Sequence, residues 1–245
     1  MTVLGHGLWV VVLTLLTQLG GVAWLLACCF QRRWTVFLAA YLGLSISAAM
    51  LAPTLGRVPL PCFGEPLRTQ SVLYCALNRQ YVDPELAEVL HDLAKQVEGR
   101  HPGTPTLVLD ASFPFLNGFP MLPHLSHDDG EKVDLAFQYR DDEGFQRGRT
   151  RSPIGYFAFE QGPTTCPDQF PTLRWDLDWL QPIWMDMKPD VPRMRTVMRH
   201  LSADSRVGKI LLEPHLRDSW GVNHPKVRFQ GCRAARHDDH NHLQL

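Results

Sequence analysis

Two uncharged apolar runs open the chain. Gly7 to Phe30 is 24 residues without a charge and Trp34 to Leu51 is 18, with Gln31-Arg32-Arg33 between them and Pro53 just beyond. At about 1.5 Å per residue, such runs match a hydrocarbon core of about 30 Å. The pattern therefore predicts a two-helix transmembrane hairpin over residues 1–55. Met1 to Trp9 contains no Lys or Arg, so the positive start of a signal peptide is missing. The Arg pair between the runs belongs in the cytoplasm by the positive-inside rule. That predicts both termini, and everything after the hairpin, on the extracytoplasmic side.

The pattern then changes. Residues 56–80 are rich in Pro, Gly and polar side chains and read as a linker or irregular lead-in, with a separate domain over 81–245. Asp83-Pro84 has the form of a helix start, an N-cap followed by Pro at the first position. Leu86, Val89, Leu90, Leu93 and Val97 then recur on one helical face, and Gly99 is placed to end it. Thr106 to Leu109 reads as a strand. Val133 to Tyr139 alternates, with Val133, Leu135, Phe137 and Tyr139 on one face and Asp134, Ala136 and Gln138 on the other. Further strands are expected at Ile154 to Phe159, Lys209 to Leu212, Val227 to Phe229 and His240 to Leu245, and helices at Leu173 to Met187 and Arg193 to Leu201. Strands and helices do not alternate regularly, which predicts an α+β fold with a mainly antiparallel sheet and flanking helices.

Charge sharpens this division. No Asp or Glu precedes Glu65, and only Arg32, Arg33 and Arg57 of the 24 basic residues lie in that first stretch. The rest carries 25 acids against 21 bases, so there is no basic excess of the kind a nucleic-acid partner calls for. Cys62, Cys75, Cys166 and Cys232 form an even set suited to an oxidising compartment, with three pairings open.

Chemistry concentrates in the histidines. Five of the 11 fall in two clusters, Pro123-His124-Leu125-Ser126-His127 and His237-Asp238-Asp239-His240-Asn241-His242. Gly130 suits a tight turn leading into the strand from Val133, which puts Asp134 on that strand's polar face. His240 and His242, two apart in the last strand, share a face. Two strands side by side would gather His127, Asp134 and His242. Two imidazoles and a carboxylate suit zinc and leave one position open, the arrangement of a hydrolytic site.

The spacing His127-x-x-Gly130-x-x-x-Asp134 followed by His240-x-His242 resembles the metallopeptidase clan of lysostaphin, the D-alanyl-D-alanine peptidases and the hedgehog amino domain. Within it, Pro123-His-x-Ser-His127 and His237-Asp-Asp-His-x-His242 are similar to the penicillin-insensitive murein endopeptidase family, as are Ile210 to Pro214 and Lys226 to Arg228. The resemblance covers roughly Thr106 to Leu245. It implies a hedgehog-like or D-Ala-D-Ala-peptidase-like fold and a Zn²⁺ held by His127, Asp134 and His242. It also implies catalytic roles for Asp239, His240 and His237: Asp239 as general base, the two histidines steadying an oxyanion. His124 is either a further metal ligand or a wall of the site. Lys132, two before Asp134, departs from the small residue usual in the clan, and the hairpin is outside the murein endopeptidase plan. The implied function is a zinc metallopeptidase of the bacterial inner membrane, facing the periplasm and cutting peptidoglycan peptides at D-amino-acid bonds. Alternatives are a D,D-carboxypeptidase or dipeptidase on stem peptides and a catalytically silent zinc-stabilised envelope binding protein. The hairpin itself offers a surface for a cell-wall protein complex.

Overall fold

A computed structural model describes residues 2–245. Three helices come first: α1 (Val3–Thr17), α2 (Gly20–Cys28) and α3 (Arg33–Leu51), the last extended by a 3-10 turn at Ala52–Leu55. There follow β1 (Val58–Pro59), β2 (Leu67–Thr69), α4 (Val72–Ala76), β3 (Tyr81–Val82), α5 (Pro84–Arg100) and β4 (Thr106–Val108). The chain continues through β5 (Lys132–Ala136), β6 (Tyr139–Asp141), β7 (Gly144–Phe145) and β8 (Lys188–Pro189). It ends with α6 (Val191–Ala203), β9 (Lys209–Leu211), α7 (Pro214–Trp220), β10 (Val227–Arg228) and β11 (His240–Gln244).

The fold is mixed α and β, as expected, and its principal sheet is mainly antiparallel with a parallel pairing at each end. Six strands run in the order β10-β9-β11-β5-β4-β2. The three inner pairings are antiparallel, while β10–β9 and β4–β2 at the two ends are parallel. The edge strand β2 comes from the lead-in 56–80, which also supplies α4 and pairs β1 with β3. One face of the sheet is closed by α5 and α6. Leu86, Val89, Leu90, Leu93 and Val97 of α5 and Met194, Met198 and Leu201 of α6 are buried there against Val133, Leu135 and Leu243. Asp83 caps α5, accepting from the Glu85 N–H. The helix continues through Gly99 to Arg100, because Glu98 turns back to accept from Gly103 and Thr104 and secures the exit only there.

Three expected elements differ. Ile154–Phe159 is a loop, not a strand: its side chains serve a small cluster on the open face of the sheet, where Tyr156 packs with Tyr74, Leu107, Leu109 and Ala136. Leu173–Met187 is not a helix; only Gln181–Ile183 makes a short 3-10 turn. The disulfide Cys166–Cys232 and Pro182 explain why this stretch runs as an open loop instead.

The two-helix hairpin is the third. Gln18 takes φ 64° and breaks the first run into α1 and α2. The helices fold back on each other, with Gly20 and Gly21 so close to Leu13, Thr14 and Thr17 that a Cβ would not fit. The break is held by the Gln18 amide, which donates to the Phe115 carbonyl at 2.6 Å and accepts from the Phe115 N–H at 3.0 Å. Among the described residues one helix, Arg33–Leu55, is long and apolar enough to cross a membrane; α1 is apolar but shorter. The fold-back also brings His6 beside Arg33 (3.3 Å) and Trp24 (3.3 Å), so the chain's start lies at the same end as the Arg turn, not the opposite end.

Candidate metal centre

The open face of the principal sheet carries the site. In the β5–β11 pair, His242 is the direct cross-strand partner of Asp134. Side chains alternate along both strands, so this register aims the two polar groups the same way while Val133, Leu135 and Leu243 face the core. His127 arrives from the loop before β5. Gly130 makes the turn into the strand with φ 85°, a conformation that favours glycine, and a Cβ there would meet the Arg57 guanidinium at 2.4 Å.

The three groups converge. His127 Nε2 and His242 Nδ1 are 3.0 Å apart, His242 Nδ1 is 2.9 Å from Asp134 Oδ1, and His127 Nε2 is 3.4 Å from the same oxygen. All three residues are buried, and they form a group able to hold a metal ion. The other ring nitrogen of His127 is paired with the Ala111 carbonyl at 2.9 Å, the kind of outer contact that fixes a ligating imidazole.

The remaining expected residues surround this trio. His240 Nε2 is 3.6 Å from Asp134 Oδ2, and its Nδ1 is 2.5 Å from Asp239 Oδ1. The second Asp239 oxygen accepts from the Phe157 N–H at 2.6 Å. The His237 ring lies 5.0 Å from that of His240, and its Nδ1 is buried without a hydrogen-bond partner. His124 Nδ1 stands 3.5 Å from Asp134 Oδ2 and 2.8 Å from Asp110 Oδ2. The structure thus gathers all seven residues that the sequence singles out.

It adds three that sequence reasoning missed. Tyr156 donates to Asp134 Oδ2 at 2.7 Å and accepts from the Asp110 N–H. Asp110 pairs with Arg79 through both oxygens, forming a chain Arg79–Asp110–His124. An acid two residues past the apolar strand β4 was a usable signal for Asp110. Arg79 lies in a loop without a pattern and gave none, and Tyr156 lies in a stretch that reads as a strand but folds as a loop.

The electrostatics follow from burial against charge. Desolvation works against the Asp134 carboxylate, but His127, His240 and His124 outweigh it and hold its pKa well below the usual range. Burial likewise opposes charge on His240, yet Asp134 and Asp239 raise it to about 9. For His242 burial wins and the value falls to about 4. Burial, with the neighbouring histidines, also drives His237 well below the usual value.

Beside the trio lies a cleft of about 270 Å³. Its polar lining is Arg79, Asp110, His124, Tyr156, Arg236, Asp239 and His240, and its apolar lining includes Leu73, Leu77, Phe157, Leu173 and Trp175. His127 and His242 lie outside that lining. The four outer cysteines pair as Cys62–Cys75 and Cys166–Cys232, and Cys28 and Cys29 are free. A comparison with family models finds no match for this chain, and a comparison with curated proteins finds none either.

Proposed function

We propose that the protein is a membrane-anchored zinc metallopeptidase that hydrolyses peptide bonds in peptidoglycan, at bonds involving a D-amino acid. The observation that carries this reading is the buried His127–Asp134–His242 trio at the edge of a cleft that polar side chains share. Ligands at about 2.0–2.1 Å in a zinc tetrahedron stand roughly 3.3 Å from one another. The separations of 2.9, 3.0 and 3.4 Å fit that figure. A zinc ion held there would polarise a carbonyl and supply a water of lowered pKa. The chain's own residues do the rest. Asp239 is fixed by the Phe157 N–H and lines the cleft, placed to accept a proton as general base and orient His240. His240 lines the cleft and His237, its Nδ1 unpartnered, lies beside His240; on this reading both would donate to a developing oxyanion. Tyr156 and His124 hold the second oxygen of Asp134, leaving the first for the metal.

The test uses the full chain in lipid nanodiscs with defined muropeptides. Bound zinc should approach one per chain, chelation should abolish cleavage, and zinc should restore it. His242→Ala should lose both metal and turnover. Full turnover by a metal-free His242→Ala protein would overturn the reading. Product identity separates an endopeptidase from a carboxypeptidase acting on stem ends.

A further inference from the structure

The helix able to cross a membrane is not a free stalk. Tyr41 of α3 donates to the Ala76 carbonyl at 2.7 Å, and Asn78 donates to the Tyr41 hydroxyl at 2.9 Å and to Ser45 at 3.2 Å. Counted from Arg33 at about 1.5 Å per residue, Tyr41 and Ser45 stand roughly 12 and 18 Å along the helix. That is near the middle of a hydrocarbon core of about 30 Å. If α3 crosses a bilayer, α4 and the residues after it must lie at bilayer depth beside it.

The cleft is built on that same α4. Leu73, half-exposed, and Leu77 form one wall of its mouth, and Leu173 and Trp175 form another. Further exposed apolar side chains stand next to these walls, Val72 beside Leu73 and Trp179 beyond Trp175. Asp176 and Asp178 alternate with the two tryptophans, which suits a loop at the headgroup level, where amphipathic rings settle. On the flank of α3 next to the Tyr41–Ser45 line, Leu38, Leu42, Ile46 and Met50 form an exposed stripe at four-residue spacing, ready for lipid contact.

We propose that the cleft opens into the bilayer and takes a peptide substrate that carries a hydrocarbon chain. The polar peptide end meets Asp239 and His240, and the chain leaves between Leu73 and Trp175 into the lipid. This inference rests on the peptidase reading of the same site for its polar end.

The experiment reads occupancy rather than turnover. Full-length protein is reconstituted in vesicles of phosphatidylethanolamine and phosphatidylglycerol. The probe is a D-alanyl-D-alanine peptide bearing a hexadecanoyl chain with a diazirine near its carbonyl. After illumination, the crosslinks are mapped by mass spectrometry. We expect them at Leu73, Leu77, Leu173 or Trp175, competed by the acylated unlabelled peptide and at least tenfold less by the same peptide without its chain. Leu73→Glu and Trp175→Glu, both at exposed positions, should each reduce the crosslinking fivefold or more with zinc content unchanged. Crosslinks confined to α1–α3, or variants labelled like the wild type, would overturn the proposal. Cleavage of soluble muropeptides without crosslinks in the cleft would sink this inference alone. Crosslinks in the cleft without cleavage of any D-alanyl peptide would support it and sink the peptidase reading.

Discussion

Asn241 sits between two histidines of the site but faces the other way. It opposes Leu135 across the strands, is fully buried, and neither its amide oxygen nor its nitrogen has a hydrogen-bond partner. Burying such a group costs about 1–3 kcal/mol. Asn241→Leu, similar in volume, should therefore raise the melting temperature and leave zinc binding intact; calorimetry with and without the metal checks both. Glu160 offers a prediction of opposite character. Burial lifts its pKa to about 7 despite its Arg151 partner, and burial lifts the adjacent Asp238 to about 6 despite Arg236. A raised carboxyl binds its proton more tightly in the folded chain than in the unfolded one. Its contribution is therefore full below the unfolded value and is lost as pH rises through the folded one. Stability should fall between about pH 4.5 and 7 from this source, and Glu160→Gln should flatten that slope in denaturant titrations. A slope unchanged in the variant would show that Glu160 titrates normally.

Among the elements, the strands that build the site are the ones most legible in the sequence. The alternation from Val133 predicts the face of Asp134, and the spacing of His240 and His242 predicts theirs; both follow from a period of two that any strand must obey. α5 is equally legible because Asp83, Pro84 and five apolar residues at helical spacing all agree. What stayed hidden was nonlocal. Gln18 looks like a soft spot within an apolar run, and only the distant Phe115 backbone makes it a break. Pro182 and the Cys166–Cys232 bond likewise keep Leu173–Met187 from coiling. Tyr156 reaches Asp134 from a stretch that reads as a strand but folds as a loop. The turn before β5 is testable at this scale. Gly130 combines φ 85° with close approach to the buried Arg57 guanidinium, which also bonds the Asn117 side chain and the Asp128 carbonyl. Gly130→Ala should destabilise the chain by about 1–3 kcal/mol. Because the turn carries His127, it should weaken zinc binding as well, measured by competition with a chromophoric chelator.

For the whole molecule, the Arg32-Arg33 turn predicts a sidedness. If α3 is a single span, the positive-inside rule puts the Arg pair in the cytoplasm and everything after Leu55 across the membrane, the same side that a two-span hairpin predicts. Cys29, free and exposed beside that turn, is the reporter. A membrane-impermeant maleimide should label it only after the cytoplasm is opened, and labelling in intact cells would reverse the topology. The two disulfides add a condition of their own. Cys62–Cys75 ends within α4, which bears Leu73, and Cys166–Cys232 ties down the segment leading to Leu173 and Trp175. Each wall of the cleft mouth is thus stapled by one covalent bond, while beneath it strand pairing sets Asp134 and His242, and a loop with the Ala111 carbonyl sets His127. None of these contacts needs a disulfide, so on the proposed reading the trio would assemble in a reduced chain and the entrance would take its shape after oxidation. A newly made molecule would carry its chemistry before its doorway, and export would be the step that arms it.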